Sequence, residues 1–301
     1  MLNFPKSLLN KNFPKFFSTS KPAHLNHIYI PAKKPARDPY NLIVVHGLFG
    51  SAANFRGIMK DPKISLFANS YLLDMRNHGS SEHKDSMTLK EMADDIYAFI
   101  QENNIKSKVV ILGHSMGARV TLTFCLHYPQ ILSGVIIEDM IPYDYNNDPR
   151  FPIYKKTKAL LEKLVKIDLN RGYQSVVEEI RAVSGSKMVA DFVMTNVKKN
   201  EATGNYQWKC NLPVLLESYS NVEDKFEVSS QERFTGPLKV IFGDKSEYYS
   251  KDLLPNFKNV FPHFDEQKHV SVVKNAAHWV HFDQPEAFIE EIHQFLRTLE
   301  A

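Results

Sequence analysis

The stretch Val109-Val110-Ile111-Leu112-Gly113-His114-Ser115-Met116-Gly117-Ala118-Arg119-Val120-Thr121-Leu122-Thr123-Phe124 decides the fold. A short continuous apolar run, Lys108 to Leu112, reads as a strand covered on both faces. After it, Met116 to His127 reads as a helix. A serine between two glycines at this junction fits a sharp strand-to-helix turn that lifts its hydroxyl to the positive end of the following helix. A serine hydroxyl is a weak nucleophile until a base takes its proton, so Ser115 needs a histidine, an acid to orient that histidine, and N–H donors for a developing oxyanion.

Outward from this stretch, strand-like and helix-like segments alternate, which predicts a largely parallel sheet with helices on both faces. Candidate strands are 25–30, 42–45, 70–73, 108–112, 134–137, 238–242 and 270–273. Candidate helices are 88–102, 116–127 and 285–299, the first opened by Thr88 with Glu91 three residues on, a capping-box pattern. The alternation stops between about Tyr143 and Phe234. Helical patterns such as 152–167 and 173–183, with no convincing strand, predict a helical cap there. Lys155, Lys156, Lys158, Lys163 and Lys166 on the cap could meet the phosphates of an acyl carrier such as coenzyme A, or form a solvated helix face.

The other partners are sought at strand ends. The N–H following Ser115, that of Met116, is one oxyanion donor, and Leu48 in the His-Gly turn after 42–45 supplies the second. His46, in that same turn, fits loop orientation better than catalysis. The base comes from the segment after the last strand, where His278 is the first choice and His281 the alternative. For the acid, Ser246 occupies the third place after Gly243, where an acid is usual. Asp139, at the end of 134–137, is therefore preferred over Asp244 and Glu138.

Composition narrows the remaining classes. No apolar run approaches the roughly 18 residues that a membrane span needs. The two cysteines, Cys125 and Cys210, make no disulfide framework or metal spacing. Of 37 Lys and Arg, seven fall in the first 37 residues, which hold no acid, leaving 30 against 34 acids in the body. The positive balance thus belongs to an arm and gives no argument for nucleic-acid binding. The arm, rich in Lys, Asn, Ser and Phe, reads as a mitochondrial presequence over residues 1–22, with an unstructured cytosolic tail as the alternative because it uses Lys in place of Arg and contains Pro5 and Pro14.

The motifs HGLFGSAANF (46–55), LLDMRNHGSS (72–81), GHSMGAR (113–119), IIEDMIP (136–142), YQWKCNLPVL (206–215) and AAHWVHFDQPE (276–286) resemble the alpha/beta-hydrolase superfamily. Within it they are similar to the branch of bacterial YbfF-type esterases, the animal alpha/beta-hydrolase domain-containing protein 11 and the yeast mitochondrial ethanol acetyltransferases. The resemblance implies an α/β fold with a mostly parallel central sheet, helices on both faces and a helical cap inserted before the penultimate strand. Residues 23–142 and 234–301 would form the core and 143–233 the cap. It implies an acid on the strand after the nucleophile, which agrees with Asp139, and makes Trp208 a candidate wall of the acyl pocket. It also implies transfer of an acetyl group from acetyl-CoA to ethanol through an acetyl-Ser115 intermediate, with thioester and ester hydrolysis as side reactions. No metal or cofactor is expected. A carboxylesterase or thioesterase delivering acyl groups only to water, and a non-catalytic partner-binding protein, are the competing expectations.

Overall fold

A computed structural model describes residues 21–33, 38–146, 148–223 and 233–300, so the arm at 1–20 lies outside the described residues. Seven strands, β1 (His27–Ile30), β2 (Tyr40–Val45), β3 (Ala68–Leu73), β4 (Val109–His114), β5 (Leu132–Glu138), β8 (Leu238–Gly243) and β9 (Val270–Val273), form one sheet. Its order is β1-β3-β2-β4-β5-β8-β9, antiparallel at β1 against β3 and parallel elsewhere. Two further strands, β6 (Val197–Lys199) and β7 (Tyr206–Trp208), form a separate antiparallel hairpin within the segment expected to be purely helical. With three residues per strand and two of β6 exposed lysines, the only alternation, Tyr206-Gln207-Trp208, is too short to be read as a strand.

Period two along the strands divides the core. Ile43, Val45, Val109 and Ile111 join one apolar cluster, while Leu42, Val44, Val110 and Leu112 join another. On the first face lies α1 (Leu89–Glu102), whose Leu89, Met92, Ala93, Ile96, Phe99 and Ile100 make a helical stripe. Thr88 caps it: the Thr88 hydroxyl accepts from the Glu91 N–H at 3.2 Å, and the Glu91 carboxylate accepts from the Thr88 N–H at 3.0 Å. α2 (Met116–His127) follows β4, and nearly every one of its residues is buried.

Among the described residues, four α-helices sit between β5 and β8: α3 (Ile153–Leu164), α4 (Tyr173–Ser184), α5 (Lys187–Met194) and α6 (Leu212–Glu223). After β9 comes α7 (Pro285–Thr298), which buries Phe288, Ile292, Phe295 and Leu296 against the second face. Each such side chain removed from water contributes about 1.5–3 kcal/mol. No helix among the described residues is long and apolar enough to cross a membrane.

Candidate active site

β4 and β5 each run a little past the apolar residues that identify them. Gly113 and His114 continue the ladder against Ile137 and Glu138, so Ser115 and Asp139 leave neighbouring strands side by side. Ser115 turns the chain with φ 55° and ψ −118°, a conformation that costs a non-glycine residue about 1–3 kcal/mol. The turn is tight enough to require its glycines. A β-carbon on Gly113 would lie 2.2 Å from the Gly117 carbonyl, and one on Gly117 would lie 2.3 Å from the Val45 carbonyl. Asp139 is also left-handed, at φ 53°, and its N–H bonds to the Ile241 carbonyl at 2.9 Å.

His278 lies between the two. Its Nδ1–H donates to Asp139 Oδ2 at 2.7 Å, and its Nε2 stands 2.8 Å from the Ser115 hydroxyl, whose proton it accepts. The Asp139 carboxylate is fully buried but well satisfied: the Gly243 N–H donates to Oδ1 at 3.1 Å, and the Ser246 hydroxyl donates to Oδ2. Ser246, which stands where an acid is usual, is thus a partner of the acid on β5. Asp244 is exposed, with its N–H on the Val273 carbonyl. The ring of Tyr248 covers His278 at a centroid distance of 4.3 Å.

Leu48 borders the same space as Ser115 and His278, and Met116 is the first residue of α2. Among the described residues neither backbone N–H has a hydrogen-bond acceptor, which leaves both available to an oxyanion. His46 sits apart from the chemistry. Its Nδ1–H donates to the Gly47 carbonyl at 2.7 Å and its Nε2 accepts from the Met75 N–H at 3.0 Å, tying the turn after β2 to the loop after β3. Burial holds its imidazole below the usual histidine range. In that second loop, Asp74 accepts from the Ala52 and Ser80 N–H groups, and buried Arg76 pairs with Asp95 through two hydrogen bonds of 2.6 and 2.8 Å.

Ser115 and His278 open onto a cavity of about 340 Å³ between core and cap. Ile153, Thr157 and Leu160 face it from successive turns of α3, and Met188, Val189, Phe192 and Val193 face it from α5. Trp279, beside the histidine, meets Phe192 across the space at 5.3 Å. Trp208 is not on this wall. It ends β7, paired with Val197, and packs half-buried against the core cluster, so the tryptophan that lines the cavity is Trp279. A place directly after His278 was the available signal for Trp279. The cap lysines Lys155, Lys156, Lys158, Lys163 and Lys166 are exposed on the outside, Lys156 paired with Glu247 at 3.3 Å.

Glu138 and His281, each the neighbour of a preferred candidate, are paired with each other: Glu138 Oε1 accepts from the His281 Nδ1–H at 2.7 Å and from the His281 backbone N–H at 3.0 Å. With His114 they form a buried group whose ligating atoms lie within 4.8 Å of one another, but two of the nitrogens already donate to protein oxygens. Burial, and the neighbouring His278 and His281, hold the His114 imidazole well below the usual range. His114 is therefore neutral and carries its proton on Nε2, which donates to the His278 carbonyl at 2.9 Å.

The fold has counterparts among known proteins. Residues 40–285 match the family model described as alpha/beta hydrolase fold. The zebrafish (Danio rerio) protein named sn-1-specific diacylglycerol lipase ABHD11 is 30% identical over 287 residues, covering 93% of this chain and 84% of its own. The probable alcohol acetyltransferase of Saccharomyces cerevisiae is 29% identical over 276 residues, covering 86% of this chain and 78% of its own. A solved structure described as a marine microorganism esterase superposes with a TM-score of 0.80 at 27% identity, covering 91% of this chain and 99% of its own. This chain is an enzyme of the alpha/beta-hydrolase fold family.

Proposed function

We propose that the chain transfers acyl groups through an acyl-Ser115 intermediate, with acetyl-CoA as donor and ethanol as acceptor, and hydrolyses thioesters and esters when water replaces the alcohol. The observation that carries the acyl-enzyme chemistry is the continuous line Ser115 Oγ, His278, Asp139, joined by contacts of 2.8 and 2.7 Å and open to an apolar cavity. As Ser115 Oγ bonds to the acyl carbon, its proton passes to His278 Nε2. The carbon–sulfur bond then breaks and His278 returns the proton to the departing thiolate. Ethanol or water next gives its proton to His278, attacks the acyl carbon and releases Ser115, which takes the proton back. Asp139 fixes the ring tautomer and stabilises the imidazolium, and the N–H groups of Leu48 and Met116 hold the oxyanion. The yeast relative's name supports an acetyl donor and an alcohol acceptor.

The test is product analysis on protein lacking residues 1–22, given acetyl-CoA with and without ethanol. Ethyl acetate is the expected product. Acetate and free coenzyme A alone would make the enzyme a hydrolase that uses the same residues. A second reading has its own support: a cavity of about 340 Å³ lies within the 300–1,000 Å³ range of sites that hold larger ligands than an acetyl group. The zebrafish relative's name points to acylglycerols. A series of p-nitrophenyl esters of increasing chain length separates the two, since a rate that climbs beyond acetate favours the longer substrate. We also propose that residues 1–22 direct import into mitochondria, which rests on their basic, acid-free composition. A fluorescent fusion with and without them tests this.

A further inference from the structure

Along a strand, neighbouring residues face opposite ways, so the residues that precede Ser115 and Asp139 turn their side chains away from those of the nucleophile and the acid. These are His114 and Glu138, paired across β4 and β5 in register. Both reach the short segment that carries the base. His114 Nε2–H holds the His278 carbonyl at 2.9 Å, and Glu138 Oε1 takes both the backbone N–H and the ring Nδ1–H of His281, at 3.0 and 2.7 Å. Segment 278–281 is thus gripped at its first and last residues by the residues immediately preceding the nucleophile and the acid.

The grip is built at a cost in burial. Glu138 and His114 are at most 3% exposed and His281 is 7% exposed. Glu138 Oε2 has no partner among the described residues, so the carboxylate's hydrogen bonding is concentrated on His281. Packing fixes the rest of the ring, with Phe55 at 4.3 Å and His114 at 5.0 Å between centroids. Placing a charged side chain in such surroundings is unfavourable unless its hydrogen bonds are well made.

We propose that His114, Glu138 and His281 are positioning residues: they fix the backbone of His278 relative to Ser115 and Asp139, and so set the rate of acylation through His278, although His114 also borders the cavity. The inference rests on the proposed roles of Ser115, His278 and Asp139. Misplacing a catalytic group by about 1 Å can cost on the order of 10²-fold in rate.

The experiment compares variants chosen for the nitrogen they keep. Asparagine can offer an amide N–H near the place of imidazole Nδ1, and glutamine one near the place of Nε2. His281→Ala is set beside His281→Asn, and His114→Ala beside His114→Gln, with p-nitrophenyl butyrate hydrolysis and the rate of fluorophosphonate labelling of Ser115 as readouts. The alanine variants are expected to lose about 10- to 100-fold in kcat, with KM within about threefold of wild type and labelling slowed in parallel. The asparagine and glutamine variants recover most of the loss.

An alanine variant that melts cooperatively and keeps wild-type kcat overturns the proposal, as does a loss confined to KM, or asparagine and glutamine variants no faster than alanine. If the His281 variants do not fold, the His114 pair decides by the same criteria. Ser115→Ala is the separate control: hydrolysis surviving in it overturns the underlying assignment of the nucleophile, and this inference with it.

Discussion

Ser246 shows how one hydroxyl can replace a carboxylate without replacing its task. It donates to the same Asp139 oxygen that accepts the hydrogen bond from His278 Nδ1–H, and the Gly243 N–H holds the other oxygen. A hydrogen bond to a charged group contributes about 1.5–3 kcal/mol, and Ser246→Ala removes only part of the carboxylate's support, so a fall of about tenfold in kcat with KM little changed is expected from steady-state kinetics. Asp139→Asn leaves the geometry but reverses the tautomer preference, and in systems of this kind costs about 10⁴ in kcat. A smaller loss than that of Ser246→Ala would place the acid elsewhere. At this scale the sequence was informative where chemistry restricts residue type and spacing. The serine between glycines, the late histidine and the absence of an acid at position 246 could all be read from it. The pairing of Glu138 with His281 could not, because nothing in a linear order shows that two residues 143 apart share a hydrogen bond.

α2 does more than present Ser115. Its Arg119 is fully buried, with Nε on the Val222 carbonyl at 2.8 Å and Nη1 on the Tyr143 carbonyl at 2.9 Å. Those carbonyls stand where the chain leaves the core for the cap and near the end of α6, so one guanidinium joins the cap's two ends to the nucleophile helix. A lysine offers a single ammonium in place of a planar fork. Arg119→Lys is therefore expected to lower the melting temperature by several degrees, and to speed proteolytic cleavage near residues 143 and 222 under native conditions. Equal cleavage rates in wild type and variant would dismiss the clamp. The central strands of the main sheet, β2, β4, β5 and β8, were legible because parallel strands buried on both faces are largely continuous apolar runs. The β6–β7 hairpin was not, because two strands of three residues, half of them polar, are too short to carry a periodic signal.

Across the whole molecule, burial sets the response to acid. His46, His78 and His114 are held neutral by burial, His78 with its pKa lowered to about 3. In the unfolded chain each binds a proton near pH 6.5, so below that value the unfolded state holds more protons and stability falls as pH drops towards the folded-state values. Each histidine contributes a slope of about 1.4 kcal/mol per pH unit within that window. Urea midpoints at pH 5.5 should lie clearly below those at pH 7.5, and coincident midpoints would contradict the burial. The chain's start matters in the same way. The Ala23 N–H bonds to Asp95, and Asn26 bonds through its backbone to Ser81 and through its side chain to Asp74. Removal of residues 1–22 should leave the melting temperature unchanged, whereas removal of 1–26 should lower it by several degrees in calorimetry. The composition of the arm was readable in advance, but this lacing was not, since single polar residues in an irregular segment carry no periodic signal.

The order of the reactive groups has a temporal consequence. Ser115 and Asp139 precede the cap in the chain, while His278 follows it. During synthesis the nucleophile and its acid therefore leave the ribosome well before the base does. Under the proposed chemistry the nascent chain cannot acylate itself until the segment 278–301 is released. The reactive serine is kept dormant by the direction of translation itself, with no inhibitor and no propeptide required.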